Sequence, residues 1–253
     1  MADLDPKVAL EILLRSDFRS FVMKAFETVY PSTKYEPALY LDGLIYELER
    51  VLKGKNSRLI VSLCPRTMKS FFVSVCLPAF VLGRDPSRQI LVVSHSEQLA
   101  LPLAIQFRKI VTSPWFREAF PKMKGDPTKN TEREFVTTKG GYRLAISAEG
   151  SVTGLGADLI ILDDPLDASD ALNPDACQKR ADWITRVLFT RMNHPETTPI
   201  ILAMQRLSIW DPVAHLIRLS DWKNYALPVM ADRNYVIEIG DNETSIFRQG
   251  DYL

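Results

Sequence analysis

A lysine and a serine, Lys69 and Ser70, stand where an apolar, β-favouring run ends and a helix-like segment begins. In loops that bind nucleoside triphosphates, backbone N–H groups and the following helix N-terminus surround the phosphates. The lysine reaches the β- and γ-phosphates, and the hydroxyl ligates Mg²⁺. The full pattern, Gly-x-x-x-x-Gly-Lys-Ser/Thr, has glycine at the positions of Leu63 and Met68. Because both glycines are missing, the motif alone is a weak indication of a phosphate-binding loop.

Two adjacent carboxylates, Asp163 and Asp164, end a mostly apolar run at residues 157–162. Such a run is typical of a strand covered by helices on both faces of a sheet, and α/β proteins bind ligands at the carboxyl ends of their strands. We expect Asp163 to hold Mg²⁺, directly or through a water, and Asp164 to orient the attacking water. Most enzymes of this type have Glu at the second position, and Asp is one methylene shorter. The alternative is a solvated Asp-Asp-Pro turn that caps the next helix.

A third set of polar groups, Gln205 and Arg206, follows the apolar run at residues 199–204. In a parallel sheet these residues lie on the same edge as the Lys-Ser loop and the Asp pair. Gln205 could sense the γ-phosphate through its amide, and Arg206 could contact phosphate or a neighbouring element. The alternative is that both residues only satisfy the turn. The order of the first two motifs, with the Lys-Ser loop before the Asp pair, favours a nucleotide-hydrolysing sheet.

Composition and charge are those of an ordinary globular protein. The chain has 253 residues, and its 31 basic and 31 acidic side chains cancel, so any contact with nucleic acid depends on a local patch. Its three cysteines form neither a metal-ligand cluster nor a disulfide framework, as expected in a reducing compartment. No segment approaches about 18 uninterrupted apolar residues. We therefore expect a soluble, cytosolic protein without a membrane partner.

Hydrophobic periodicity predicts alternating helices and strands. The predicted helices cover residues 6–30 (one or two helices), 40–52, 69–83, 97–111 and 174–193, with a kink or break at Pro78. The predicted strands cover 58–63, 89–94, 158–163 and 199–204, and residues 133–146 are predicted to form a hairpin around two glycines. This alternation predicts an α/β protein, a three-layer sandwich around a mainly parallel sheet.

Six short motifs together resemble the large terminase subunit of tailed bacteriophages, and the resemblance spans most of the chain. They are residues 64–70 (CPRTMKS), 83–86 (GRDP), 93–100 (VSHSEQLA), 150–165 (GSVTGLGADLIILDDP), 182–183 (DW) and 204–207 (MQRL). Each motif is moderately specific, and their order and spacing are the stronger part of the match.

The resemblance implies the N-terminal ATPase domain of a DNA-packaging motor, of the additional-strand, conserved-glutamate class of P-loop NTPases. It implies ATP and Mg²⁺ as cofactors and translocation of double-stranded DNA into a procapsid in the host cytoplasm. It also implies a homo-oligomeric ring docked on the portal protein, and the small terminase subunit as a partner. The expected organisation is an N-terminal helical region (1–57), an ATPase core (58–210) and a lid or linker (211–253). The C-terminal nuclease domain of full-length members is expected to be absent, so we expect no nuclease activity.

The resemblance also implies roles for the loop. Members usually carry a glycine-poor P-loop with an arginine, which corresponds to Arg66, expected to contact the γ-phosphate. Lys69, Asp164 and Arg66 are the expected catalytic residues, and Ser70 and Asp163 the expected metal ligands. The expected nucleotide-binding residues are Pro65, Arg66, Thr67, Met68, Lys69, Ser70, Phe71 and Gln205. Candidates for an arginine supplied to a neighbouring subunit are Arg143, Arg186, Arg191 and Arg206.

Several alternatives stay open from the sequence. An aromatic group, Tyr30, Pro31, Tyr35 and Tyr40, could frame the adenine or belong to the core. The densest basic stretch, Lys122, Lys124, Lys129 and Arg133, could grip a phosphate backbone or form a solvated loop. In place of a packaging motor, the chain could be a helicase-like motor or a nucleotide-binding assembly module that does not hydrolyse ATP.

Overall fold

A computed structural model describes residues 5–148, 150, 152 and 154–253. In these residues the helices are α1 (Pro6–Ser16), α2 (Phe18–Val29), α3 (Leu39–Leu52), α4 (Leu77–Arg84), α5 (Glu97–Val111), α6 (Pro114–Ala119), α7 (Pro174–Trp183) and α8 (Pro212–Leu219). The strands are β1 (Arg58–Ser62), β2 (Gln89–Ser94), β3 (Glu134–Val136), β4 (Tyr142–Ser147), β5 (Leu159–Asp163), β6 (Ile200–Ala203), β7 (Lys223–Ala226), β8 (Tyr235–Gly240) and β9 (Glu243–Phe247).

Seven of these strands form one sheet in the order β3-β4-β2-β5-β6-β1-β7. Every neighbouring pair is parallel except β3 and β4, which form the antiparallel hairpin predicted from the sequence. The strand β6 lies between β1, which leads into the Lys-Ser loop, and β5, which ends in the Asp pair. The three motifs therefore meet at the carboxyl edge of three adjacent strands.

Helices cover both faces of the sheet, and alternate residues of each strand pack into two separate clusters. Leu59 and Val61 of β1 belong to the cluster shared with α2, α3, α4 and α5, whereas Ile60 belongs to the cluster shared with α7 and α8. This arrangement explains the continuous apolar runs of the central strands, since both faces are buried. The predicted three-layer α/β sandwich with a mainly parallel sheet is confirmed.

The helix after the Lys-Ser loop is irregular one turn before Pro78. Residues Phe71–Cys76 are π-helical, and the N–H of Leu77 bonds to the carbonyl of Phe72, five residues back. Proline lacks the N–H that would pair with the carbonyl of Ser74 in an α-helix. That carbonyl instead accepts a hydrogen bond from Nη2 of Arg143, at 3.3 Å. The predicted disruption therefore takes the form of a π-helical turn before Pro78, a common cause of helix kinks.

The N-terminal helices pack on the sheet through aromatic side chains. Phe21 of α2 contacts Phe80 of α4 edge to face, with ring centroids 5.2 Å apart, and its ring also lies near Phe116 and Phe120. Phe26 contacts Phe71 in the same manner, at 6.0 Å. The described part of the N-terminal helical region, residues 5–57, therefore shares one hydrophobic core with the sheet.

The C-terminal residues contribute both to the main sheet and to a separate hairpin. Strand β7 pairs with β1 and forms one edge of the main sheet, and β8 and β9 form a two-stranded antiparallel sheet. The boundary expected at residue 210 therefore does not coincide with the edge of the sheet. That residues 211–253 form a lid or linker stays a prediction. Sequence patterns also left α6, α8 and β7 to β9 unassigned.

Among the described residues, no helix is both long enough and apolar enough to cross a membrane.

Candidate active site

The loop between β1 and the next helix is built from residues other than glycine in glycine-like conformations. Arg66 and Met68 have φ angles of 66° and 63°. Left-handed residues in such a turn direct successive backbone N–H groups into an anion-binding concavity. The Thr67 hydroxyl donates to the carbonyl of Cys64 at 2.8 Å and closes the turn. The missing glycine at position 68 therefore does not prevent the backbone conformation that glycine usually supplies there.

Lys69 lies beneath this loop and pairs with the second carboxylate of the Asp pair. Its Nζ is 2.8 Å from Oδ2 of Asp164, and the lysine side chain is 7% exposed. Asp164 itself has a φ of 45°, in the left-handed region. A triphosphate bound in the loop would compete with this carboxylate for the ammonium group.

The first carboxylate, Asp163, is buried and held by two hydroxyls of the loop helix. Ser70 Oγ donates to Oδ1 at 2.9 Å, and Ser74 Oγ donates to Oδ2 at 2.7 Å. Ser70 and Ser74 are four residues apart and so lie on one face of the helix. Asp163 lies two residues beyond Ile161, which faces the same helix layer. The alternation of the strand therefore directs Asp163 to the loop helix and away from solvent.

Burial, with the nearby charge of Asp164 as the second cause, raises the pKa of Asp163 from 3.8 to about 6. Lys69 and the two serine hydroxyls act in the opposite direction. The site thus keeps a carboxylate in a place that disfavours its charge, as is common where a cation binds.

The donor set fits MgATP. A serine hydroxyl and a carboxylate oxygen lie within hydrogen-bond distance of each other, and Mg²⁺ prefers hard oxygen ligands of this kind. Ser70 and Asp163 would hold the ion, and the loop amides with Lys69 would hold the phosphates.

Gln205 and Arg206 lie at the same sheet edge, as expected, but Arg206 is engaged in its own loop. Both residues line a cavity of about 630 Å³ together with Cys64 and Pro65. The Nε of Arg206 is 3.0 Å from Oδ2 of Asp211, a buried carboxylate that also caps α8. The observed contacts of Arg206 therefore satisfy its own turn, and contact with phosphate or with a neighbouring element stays a prediction.

The predicted nucleotide-binding residues differ in how far their side chains are exposed to solvent. Pro65 and Arg66 are exposed at the tip of the loop, and Met68 is half-buried. The ring of Phe71 is buried and packs against Phe26 and Tyr30, so only its backbone faces the loop.

The three tyrosines of the aromatic group near α2 are half-buried and pack against the core, whereas Pro31 is exposed. Tyr30 and Tyr35 both contact Phe26, and the hydroxyl of Tyr30 accepts a hydrogen bond from Gln106 at 3.2 Å. Tyr40 also packs against the large cluster. Of the two interpretations left open by the sequence, the structure supports packing.

Burial separates the four arginines considered for a role in a neighbouring subunit. Arg143 is 1% exposed, so the expectation that it could act on a neighbour is wrong. Its two flanking strands and α5 enclose it, and its guanidinium lies 5.6 Å from the centre of the Phe107 ring. Arg191 is half-buried, whereas Arg186 is the most accessible, with 78% of its side chain exposed.

Sequence reasoning missed three polar side chains of the site. Ser74 could have been found from its helical spacing to Ser70. Ser94 ends β2 beside Asp163, and its buried hydroxyl has no hydrogen-bond partner among the described residues. His95 follows Ser94 and contacts the backbone of Asp164. Ser94 and His95 stand at the carboxyl end of β2, which is adjacent to β5. Polar residues at the end of a predicted parallel strand are the sequence signal that could have placed them at the site.

No family model matches the sequence, and no curated protein matches it. Among solved structures, the chain is similar to the HK97 bacteriophage large terminase, with 18% identity and a TM-score of 0.54, over 83% of this chain and 43% of that one. It is also similar to the N-terminal domain of the DNA packaging ATPase from bacteriophage phi29 (14% identity, TM-score 0.48, 83% and 98% coverage). A third similar structure is the Thermus phage P74-26 large terminase ATPase domain, with 15% identity and a TM-score of 0.41, over 70% of this chain and 67% of that one.

The chain has the fold of a phage large terminase. It spans less than half the length of the HK97 terminase. Strand β6 lies between β1 and β5 in the sheet, which is the strand order expected of the additional-strand class. At the position where the resemblance implies a glutamate, the chain has Asp164.

Part of the predicted motif at residues 150–165 lies outside the described residues, since residues 151 and 153 are not described. Among the described residues, those of the candidate site included, no group of three or more His, Cys, Asp or Glu side chains is placed to hold a metal ion.

Proposed function

We propose that this chain is the ATPase motor of a viral DNA-packaging machine, which hydrolyses ATP to move double-stranded DNA into a procapsid. The observation that supports it most directly is the joint placement of the loop and the Asp pair. Ser70 and Lys69, from the loop helix, contact Asp163 and Asp164 respectively, from the strand beyond the additional strand. This is the pairing of phosphate-binding and water-orienting groups that phosphoryl transfer needs.

Each residue has a role that follows from its contacts. Bound Mg²⁺ would neutralise charge on the phosphate oxygens, held by Ser70 and Asp163. Lys69 would contribute a fixed positive charge where negative charge develops, in a site that excludes most water. Once phosphate takes the Lys69 ammonium, Asp164 is free to accept a hydrogen bond from the attacking water. Arg66 and Gln205, at the loop tip and the end of β6, would contact the γ-phosphate and respond to its loss.

The partners follow from the same proposal. Phosphoryl transfer at such sites often depends on an arginine supplied in trans, which contributes about 10³–10⁵ in rate. A homo-oligomeric ring on the portal protein would supply it, with the small terminase subunit as a further partner in the host cytoplasm. Arg186 is the most exposed of the candidate arginines. The expectation that residues 1–253 do not cleave DNA stays a prediction, which incubation with plasmid DNA and Mg²⁺ checks.

The deciding experiment is steady-state phosphate release with MgATP at rising protein concentration. We expect turnover that increases more than linearly with protein concentration, because subunits complete one another's sites. Asp164→Asn should lower kcat by about 100-fold or more with nucleotide affinity retained, and Lys69→Ala should lower both. Lys139→Ala and Asp170→Asn change exposed residues away from the loop and serve as controls.

Two outcomes would count against the motor. Turnover and affinity unchanged in Lys69→Ala would remove the assignment of the loop as a nucleotide site. Tight MgATP binding with no hydrolysis, at any concentration and with DNA added, would indicate a binding module.

A further inference from the structure

His95 and Asp164 stand in equivalent places on neighbouring strands. Each is the first residue after its strand, β2 for His95 and β5 for Asp164, and the two strands pair in parallel register. His95 is therefore beside the residue proposed to orient water, on the side of β5 away from Lys69.

The carbonyl of Asp164 receives two contacts from this one residue. The backbone N–H of His95 donates to it at 3.1 Å, and ring Nδ1 lies 3.1 Å from the same oxygen. A carbonyl can only accept, so Nδ1 carries a proton in this arrangement. The N–H of Asp164 in turn donates to the carbonyl of Ala203 at 2.8 Å. The peptide units on both sides of Asp164 are thus fixed by the two adjacent strands.

This restraint matters because Asp164 is in a disfavoured conformation. Its φ of 45° is left-handed, and such backbone strain, about 1–3 kcal/mol, persists only where the surroundings impose it. The conformation turns the side chain back toward the loop, where Oδ2 meets Lys69 Nζ at 2.8 Å.

The other ring nitrogen fixes the orientation of the imidazole. Nε2 of His95 is 3.2 Å from Oδ2 of Asp167. Oδ1 of Asp167 accepts from the backbone N–H and the hydroxyl of Ser169, at 2.8 and 2.7 Å. These hydrogen bonds lower the pKa of Asp167, so the group is an acceptor at neutral pH. A carbonyl and an ionised carboxylate both only accept, so the two contacts of the ring are hydrogen bonds at the same time when each ring nitrogen carries a proton.

We infer that His95 is a positioning residue for Asp164, with Asp167 holding the ring. The inference rests on the proposed function, since it concerns the step in which Asp164 orients water. Without the ring, Asp164 loses one of the two donors to its carbonyl, and its carboxylate is no longer fixed beside Lys69. Within the described residues, the hydrogen bonds and ion pair of His95 go to Asp164 and Asp167 and not to the phosphate-binding loop, so we expect nucleotide binding to be retained.

The test compares three variants: His95→Ala, His95→Asn and His194→Ala. The amide nitrogen of Asn can occupy nearly the position of Nδ1 and keep the hydrogen bond to the Asp164 carbonyl. His194 is exposed at the opposite edge of the sheet and is the control. We expect His95→Ala to lower kcat by about 10- to 100-fold, the size of effect known for residues that orient metal ligands. Affinity for MgADP, measured with a fluorescent ADP analogue, should stay within about twofold, and His95→Asn should recover most of the rate.

Three results would overturn the inference: an unchanged kcat in His95→Ala, a loss of affinity that parallels the loss of rate, or a His95→Asn variant as slow as His95→Ala. Failure of the proposed function is distinguishable, because it is seen in other proteins of the set: Lys69→Ala keeps its turnover and affinity, or the wild type binds MgATP tightly without hydrolysis. If the wild type shows no turnover, crystal structures of wild type and His95→Ala decide. In the variant, the φ angle of Asp164 should move out of the left-handed region, and the Asp164 carboxylate should lose its contact with Lys69. An unchanged Asp164 conformation would exclude a positioning role for His95.

Discussion

The burial of the Asp163 carboxylate lowers the stability of the folded protein. Its pKa in the folded protein is about 6, above the ordinary value of 3.8, because burial disfavours the charged form. The folded state therefore takes up the proton before the unfolded state as the pH falls. Above about pH 6 both states are ionised, and the full penalty is present. Between pH 6 and 4 the penalty decreases.

We therefore expect Asp163→Asn to be more stable than the wild type at pH 7.5, in the absence of Mg²⁺ and nucleotide. Serine hydroxyls can donate to the amide oxygen and accept from the amide nitrogen, so both hydrogen bonds can be kept. The gain should be on the order of 2 kcal/mol, or roughly 4–8 °C in Tm for a chain of this size. The difference should shrink as the pH is lowered to 4, which thermal unfolding followed by circular dichroism measures.

Asp126→Asn is the control with the opposite sign. Hydrogen bonds from Thr128 lower the pKa of this exposed carboxyl, so its charge favours the fold. We expect this variant to be equally or less stable than the wild type at pH 7.5. A loss of stability in Asp163→Asn at that pH would contradict the account of a penalised carboxylate.

At single positions, the sequence predicted side-chain chemistry better than backbone geometry. Lys69, Ser70 and the Asp pair contact one another because their types and order reflect phosphate chemistry directly. The absent glycines suggested a weak loop, yet Arg66 and Met68 adopt left-handed φ angles without them. Surrounding structure can impose such strain on residues other than glycine, and no short pattern records it. The burial of Arg143 could not be predicted from the sequence either, since arginine side chains are exposed in most proteins.

At the scale of elements, Arg143 connects an outer strand to the irregular helix of the site. It lies on β4, and its one side-chain hydrogen bond within the described residues goes to the Ser74 carbonyl that Pro78 leaves without a partner. Two of its nitrogens, Nε and Nη1, have no hydrogen-bond partner within the described chain. Desolvation lowers its pKa from 12.5 to about 9, although the charge of Asp163 opposes this. A buried charge with so few partners is a weak source of stability.

We expect Arg143→Met to be as stable as the wild type or more stable at pH 7.5. Methionine fills much of the same volume, and removing a buried charge offsets the loss of one long hydrogen bond. Arg143→Ala leaves a cavity beside Phe107 and should lose about 2–4 kcal/mol. Because the folded pKa is below its ordinary value, the wild type regains stability as the pH rises above about 9, and its difference from Arg143→Met should narrow there. Urea unfolding at pH 7.5 and 9.5 checks both points. An Arg143→Met variant as unstable as Arg143→Ala would contradict them.

The bounds of helices and strands with a clear hydrophobic periodicity were predicted to within a few residues. The helix at residues 97–111 and the strand at 89–94 match in both bounds, and three further strands agree within one or two residues. The elements that were missed are short or polar. Strand β7 has four residues with only Tyr225 buried, and its place beside β1 depends on a partner far away in the sequence. Such strands form through tertiary pairing that local propensity does not encode.

For the whole molecule, the central question is where DNA would bind a chain with no net charge. Phosphate contacts require a local positive surface. Lys122, Lys124 and Lys129 are exposed on the segment before β3. Arg108, Arg117 and Lys124 line one cavity of about 650 Å³ beside this segment. Arg133 forms an ion pair with Glu97, so its charge is partly neutralised. The three lysines, rather than Arg133, are therefore the groups available to phosphate.

We expect the chain to bind double-stranded DNA in a salt-dependent manner through this segment. The double variant Lys124→Glu/Lys129→Glu should weaken binding several-fold and reduce the slope of log K against log salt by roughly 2, about one unit per lost phosphate contact. Fluorescence anisotropy with a labelled duplex, across a series of salt concentrations, measures both quantities. Lys34→Glu/Lys179→Glu makes the same change in net charge at exposed positions elsewhere, and its slope should equal that of the wild type. Equal effects in the two double variants would mean that net charge alone governs binding, and the segment before β3 would then have no specific role in holding DNA.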